Sequence, residues 1–406
     1  MAPSSVIDWV AIAEVLTAGE AFGDDYPVPG APLPREIPIR HFRQPTEQFT
    51  GSWEQAQDTC DSLIRAAIER SPSHWDFAIG LSGGHDSRHL LLATRAVGRS
   101  VSRAVCAEHW QRASTAADTA AARLLAHRLG IPLEIASQSP DRYAAEWDKN
   151  LLVNLTSTNH SWVLALARHM GNAQPILDGL NGGGLMCRDP LTVSWVDRYG
   201  DACPSADQAV EHVRDILFRH PRRRVSAWLS SPRLTPSIWR EAEDRLVERF
   251  RRYLDYPNPF QAWIYLERTR RAMALVPYVL MGNDRVLCPY YDEEVGSFGL
   301  SLPWDITCRR EFQEQMLARI YPDVADVPLN HRIEVRQTEA LSVDPEAERR
   351  SLARIVPLLD QHVNPDWLAK RYQPAVQGRG NRRMVLVAEA LAWEDSGRPG
   401  PLGSPL

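Results

Sequence analysis

The strongest constraint on the fold is a six-residue turn, Ser82-Gly83-Gly84-His85-Asp86-Ser87, set between two segments of different pattern. Asp76 to Leu81 is a short apolar run that reads as a buried strand, and Arg88 to Val97, with leucines at 90, 91 and 92, reads as a helix. A strand that passes through glycines into a helix aims several backbone N–H groups and the positive end of the helix dipole at one point. Such a point binds an anion. Ser82 and Ser87 add hydroxyl donors, Gly83 and Gly84 admit a close backbone approach, and Asp86 offers a carboxylate to a divalent cation. No Gly-Lys-Ser or Gly-Lys-Thr follows, so this is not a Walker-type phosphate loop. The plain alternative is a tight turn that merely contains glycine.

The strand and helix alternation continues. Val101 to Ala107 reads as a strand, Thr115 to Leu129 as an alanine-rich helix, Pro132 to Ala136 as a strand, Ser161 to His169 as a helix, and Pro175 to Gly179 as a strand ending in a glycine turn. This order predicts an α/β fold with a parallel, doubly wound sheet. Beyond about residue 205 the chain reads as mainly helical and arginine-rich, with no alternating strands. Only Lys149 and Lys370 are lysines. The expected organisation is a lead-in segment over 1–50, an α/β core over 51–200, a helical part over 201–395 and a disordered tail rich in Gly and Pro over 396–406.

Composition excludes several classes. The net charge of -5 argues against a general nucleic-acid binder. Apolar runs such as 272–281 fall well short of the roughly 20 residues that span a bilayer. The N-terminus carries no export pattern, and a cytoplasmic protein is expected. Six cysteines without a CxxC pair disfavour a zinc knuckle or a disulfide framework, and the one HxxxH pair, His85 and His89, has no glutamate between its members.

With these blocks in order, the chain resembles the N-type ATP pyrophosphatases, and within them the synthetase domain of the asparagine synthetase family. Besides Ser82 to Ser87, the resemblance rests on Ala117 to Gly130 and on Leu177-Asp178-Gly179-Leu180-Asn181-Gly182. A fourth block, Arg285 to Asp292 with Ser301-Leu302-Pro303 behind it, is similar to the family's Arg-x-Pro-Phe-Leu-Asp segment. It covers about residues 50 to 335. The fold it implies is the adenine nucleotide α-hydrolase (ATP pyrophosphatase) type, and the activity is a two-step ligation using ATP and Mg²⁺. A small-molecule or peptide carboxylate is adenylated with release of pyrophosphate, and an amine or ammonia then displaces AMP. The resemblance places Leu81 and Val105 beside the adenine, Ser82, Gly83, Gly84, Asp86 and Ser87 at the pyrophosphate, and Asp178 and Gly179 at the nucleotide, with Asp86 as metal ligand.

Asp292 matches the family's late aspartate, and a helix cap is its equally plausible role. The family's glutaminase domain, with its N-terminal cysteine, is not recognised before the turn, so glutamine is not expected as a nitrogen source. That points toward a specialised amide ligase in the manner of β-lactam synthetases and lasso-peptide cyclases, or one fed by a separate partner protein. Two departures stand out. Where the family has a second acidic metal ligand this chain has Gly183, and where it has a late lysine this chain has Leu329-Asn330-His331-Arg332. Asp178 is a candidate to compensate for the first, and Arg332 for the second. A degenerate domain that binds a nucleotide or a partner without catalysis is the competing expectation.

Overall fold

A computed structural model of the chain describes residues 7–21, 26–29, 47–108, 115–158, 160–171, 174–186, 189–273, 285–334, 344–371 and 380–402. Its centre is a five-stranded, all-parallel sheet in the order β3-β2-β1-β4-β5. The strands are β1 (Phe77–Gly80), β2 (Val101–Ala107), β3 (Leu133–Ala136), β4 (Ile176–Leu177) and β5 (Val286–Leu287). Ile79 at the middle of β1 is fully buried, opposite Ala104 on β2 and Leu177 on β4. A central strand covered on both sides and both faces has no solvent side, which is why Phe77, Ala78 and Ile79 are apolar without alternation.

From β1 the chain runs outward through α3 (His85–Ala96) to β2 and through α4 (Thr115–Leu129) to β3. It then returns by way of α5 (Arg142–Leu152) and α6 (Trp162–Met170) to β4, on the other side of β1. Right-handed crossovers put the outward and returning helices on opposite faces of the sheet. The direction of strand order therefore reverses between β1 and β4, and the crevice outside the carboxyl ends of those two strands is where such sheets bind ligands.

The fifth strand lies in the part of the chain expected to be mainly helical, and its residues were not singled out as a strand. Val286 pairs with Ile176, and Leu287 with Leu177. Two residues are too few to carry a period in sequence, so their strand character comes from the β4 edge they complete. Helix α3 also begins at His85, three residues earlier than the leucine pattern suggests. Gly84, in extended conformation, is its N-cap without a side-chain capping bond, which puts Asp86 and Ser87 in the first turn.

Two apolar cores coexist, and they do not divide near residue 200. The sheet core gathers residues from Ala56 to Met186 with Tyr265, Tyr290, Phe312 and Val327. The helical core gathers α1 (Trp9–Ala18), part of α5, and residues between Leu191 and Trp393. The expected lead-in segment thus contributes a helix to the second core: Trp9 donates its indole N–H to Glu394 at 2.7 Å, and Glu14, itself buried, pairs with Arg249 at 3.2 Å. The described start of the expected tail is tied down as well. Trp147 donates to the Gly400 carbonyl at 3.0 Å and the Leu402 N–H donates to Asp148 at 2.8 Å, while 403–406 lie outside the described residues. Among the described residues no helix is long and apolar enough to cross a membrane.

Candidate active site

Two turns meet at the carboxyl edge of the sheet, the serine and glycine turn after β1 and the Asp178-Gly179-Leu180 turn after β4. Gly179 makes the meeting possible, because a Cβ there would stand 2.8 Å from the Ser87 nitrogen and 3.0 Å from its Cα. Between the turns lies a cavity of about 340 Å³. Its wall includes Leu81, Ser82, Asp86, Ser87, Val105, Asp178 and Gly179, so seven of the residues expected at the nucleotide share one surface.

The turn is internally ordered. Ser87 Oγ accepts the Ser82 N–H at 3.0 Å and lies 3.2 Å from Ser82 Oγ, which accepts the Gly84 N–H at 3.2 Å. These bonds hold both hydroxyls at the mouth of the α3 dipole, the geometry that favours an oxyanion. Gly83 and Gly84 are not among the residues that line the cavity, although both belong to the turn that does. Gly83 is also required for packing: a Cβ would lie 2.7 Å from Asn330 Cβ and 2.9 Å from both Ala121 Cβ and Asp118 Cα.

Asp178 is buried and accepts the Leu180 N–H at 2.8 Å, so it caps its own turn while facing the cavity. Burial first, and the Asp86 charge with it, push its carboxyl up to about 6 against the pull of the Leu180 N–H. Asp86 accepts an amide hydrogen of Gln313 at 2.8 Å. Two mutually repelling carboxylates on one cavity suit a hard cation, and Mg²⁺ binds by one or two protein carboxylates when phosphates and waters fill its other positions. Among the described residues no cluster of three or more His, Cys, Asp or Glu forms a closed metal cage. The donor set therefore fits Mg²⁺ carried on a nucleotide and not a tightly caged transition metal.

The other two expected catalytic residues lie elsewhere. Asp292 caps the helix Glu293–Ser301 by accepting the Glu294 N–H at 3.0 Å, and it pairs with Arg70 at 2.6 Å. Both bonds are structural, and Asp292 is not on the cavity wall. Arg332 is exposed and paired with Glu314, beside a separate cavity of about 430 Å³. Its segment does reach the turn, since the Asn330 N–H donates to the Gly83 carbonyl at 3.0 Å and the Asn330 amide to Asp118 at 2.6 Å. Arg332 itself is not among the residues that line the first cavity.

Other wall residues were missed in the sequence. Asn181, in left-handed conformation at φ 74°, is buried with its amide nitrogen unpartnered. Arg268 is the one lysine or arginine among the described wall residues, and it is paired with the buried Glu20. Its signal was diluted by the many arginines around it. Behind the cavity runs a hydrogen-bonded chain that the sequence also hid. Gln313 reaches the Tyr290 hydroxyl at 3.4 Å, Tyr290 lies 2.9 Å from His89 Nδ1, and His89 Nε2 lies 3.0 Å from Asp61. His89, Tyr290 and Gln313 are fully buried. Burial alone would raise the Asp61 carboxyl, but His89, Tyr321 and Arg65 outweigh it and hold it below the usual carboxylate range.

Comparison with protein-family models finds no match for this chain, and comparison with curated proteins finds none either.

Proposed function

We propose that the protein is an ATP-dependent, AMP-forming amide ligase of the adenine nucleotide α-hydrolase type, resembling the asparagine synthetase family. The observation that carries this is the convergence of the Ser82–Ser87 turn with the Asp178–Gly179 turn on one cavity at the strand-order reversal. Leu81 and Val105 form its apolar side and suit an adenine, and Ser82 and Ser87 with the first turn of α3 suit the phosphates. Asp86, with Asp178 beside it, would hold Mg²⁺, which when bound neutralises charge on the leaving pyrophosphate. A carboxylate oxygen bonds to the α-phosphorus as the bond from that phosphorus to the bridging oxygen breaks and pyrophosphate departs. An amine nitrogen then bonds to the acyl carbon, AMP leaves, and the nitrogen gives up one proton. The serine hydroxyls and the helix dipole are fixed before the charge develops, which is how a preorganised site lowers such a barrier.

Binding without turnover is the second reading. It is favoured by the displaced Asp292 and Arg332 and by Arg268 being tied to Glu20, so that no described wall residue offers a lysine to the reacting carboxylate. Carboxylate-dependent exchange of labelled pyrophosphate into ATP separates the two. Exchange with AMP as product supports the ligase, ADP as product refutes the pyrophosphatase type of cleavage, and nucleotide binding without exchange across a broad panel of acids favours the second reading.

A further inference from the structure

The buried chain behind Asp86 has two carboxylates at its ends, and an ionised carboxylate only accepts hydrogen bonds. The groups between must therefore donate in both directions. His89 supplies its Nε2 hydrogen to Asp61, and Gln313 supplies an amide hydrogen to Asp86. In the middle, the Tyr290 hydroxyl satisfies both neighbours by donating to His89 Nδ1 at 2.9 Å, in preference to the Asp86 carbonyl at 3.5 Å, and accepting the other amide hydrogen of Gln313. This order admits one orientation of the Gln313 amide, with nitrogen toward Asp86 and oxygen away. The structure shows the consequence, because Gln313 Oε1 is buried with no partner. A buried carbonyl left unmatched is unfavourable, and it persists here because turning the amide over would set oxygen against the Asp86 carboxylate.

The chain is anchored far from the cavity. Asp61 sits on α2 (Trp53–Glu69), where Arg65 pairs with it at 2.7 Å and the Tyr321 hydroxyl donates to it at 2.5 Å. His89 is on α3, Tyr290 follows β5, and Gln313 opens the helix Phe312–Ile320. Gly182 lets the assembly close on the cavity side: a Cβ there would lie 2.5 Å from Tyr290 Cζ and 2.7 Å from Asp86 Cγ. Four elements thus converge on the direction of one carboxylate.

We propose that Gln313 is a positioning residue, oriented by the Asp61–His89–Tyr290 chain, that fixes how the Asp86 carboxylate meets the Mg²⁺ of a bound nucleotide. The inference rests on the reading of Asp86 as a metal ligand. Residues that orient a metal-binding carboxylate change metal affinity by roughly 10- to 100-fold when removed. The chain's hydrogen bonds lead to Asp86 and not to Leu81 or Val105 on the apolar side of the cavity, so a phosphate-free ligand is expected to be insensitive to it.

The test uses the full chain and α,β-methylene-ATP, which cannot be split at the reacting bond, with adenosine as the phosphate-free probe. The free Mg²⁺ needed for half-maximal binding of the analogue is measured for the wild type, Gln313→Leu and Tyr290→Phe. Gln313→Leu is expected to raise that concentration by roughly tenfold, and Tyr290→Phe by about threefold, with adenosine affinity held within about twofold. Tyr290→Phe keeps the ring and its packing, so it carries the test if Gln313→Leu does not fold. A Mg²⁺ requirement unchanged in either folded variant overturns the proposal. So does an equal loss of adenosine and analogue binding, which marks a purely structural role. A wild type that binds the analogue without any Mg²⁺ dependence instead overturns the assignment of Asp86 itself, and the positioning role falls with it.

Discussion

Asp189 offers the sharpest test of the energetics beside the cavity. It is fully buried at the N-cap of α8 (Pro190–Tyr199), where Oδ1 accepts the Leu191 N–H at 3.1 Å and the Thr192 N–H at 2.9 Å, while Oδ2 is buried without a partner. Burial outweighs these bonds and the charge of Arg268, and pushes its carboxyl from 3.8 up to about 6. The folded-state value is raised above the unfolded one. The stability it contributes is therefore fully present below the unfolded value and is lost as the pH rises through about 6. A shift of about two units is worth roughly 3 kcal/mol over the whole range, of which about 1.4 kcal/mol falls between about pH 5 and about pH 7.5. Asparagine is as good a cap and does not titrate, so Asp189→Asn keeps the Oδ1 bonds and removes the pH-dependent part. Urea unfolding of both proteins should show the variant gaining about 1.4 kcal/mol on the wild type across that interval, whatever its offset at pH 5. A stability difference that stays flat with pH would refute the assignment of a raised carboxyl at Asp189.

Three further outcomes are expected. Gly182→Ala forces a methyl group to within 2.5 Å of Tyr290 and 2.7 Å of Asp86. It should cost about 1–3 kcal/mol in urea unfolding and weaken nucleotide binding. Asp292→Ala should lose about 1 kcal/mol of stability as a lost cap, and neither it nor Arg332→Ala should slow pyrophosphate exchange, because neither side chain lines the cavity. A large exchange defect in either would return that residue to the reaction. Lys149 is fully buried, 2.8 Å from Glu146, and Lys149→Met should cost about 3 kcal/mol by leaving buried acids uncompensated. A denaturant midpoint within experimental error of the wild type would show the pair to be energetically idle.

The sheet and the serine and glycine turn were legible because local patterns encode them. An apolar run, two glycines and a leucine-rich helix determine β1, the turn and α3 within about twenty residues, and β2, α4 and β3 repeat the same signals. The short strand β5 was not legible, since two residues have no period and take their form from pairing with β4. The candidate site divides in the same way. Ser82, Asp86, Ser87 and Asp178 lie on turns whose local pattern fixes their direction, and all four line one cavity. Arg332 and Asp292 came from position alone. Whether a side chain faces a cavity or an ion partner such as Glu314 or Arg70 is decided by the tertiary neighbourhood. The chain from Asp61 to Gln313 draws on four elements spread over some 250 positions, and no short window holds its pattern.

The helical core also sets an order of assembly. Every residue from Trp9 to Thr17 is buried, yet the indole of Trp9 meets its partner Glu394 385 positions later in the chain. The sheet core, by contrast, has all its members among the described residues once Val327 has been made. Contacts of such long separation close late, because loop entropy must be overcome before they form. During synthesis, then, the sheet half can condense while α1, apolar on nearly every side, waits first for the helix Pro236–Arg251, which carries its partner Arg249, and last for the helix Gly380–Ser396. A chain cut before residue 380 should accordingly keep its parallel sheet and lose only the last cover of its first helix, leaving the Trp9 indole without Glu394.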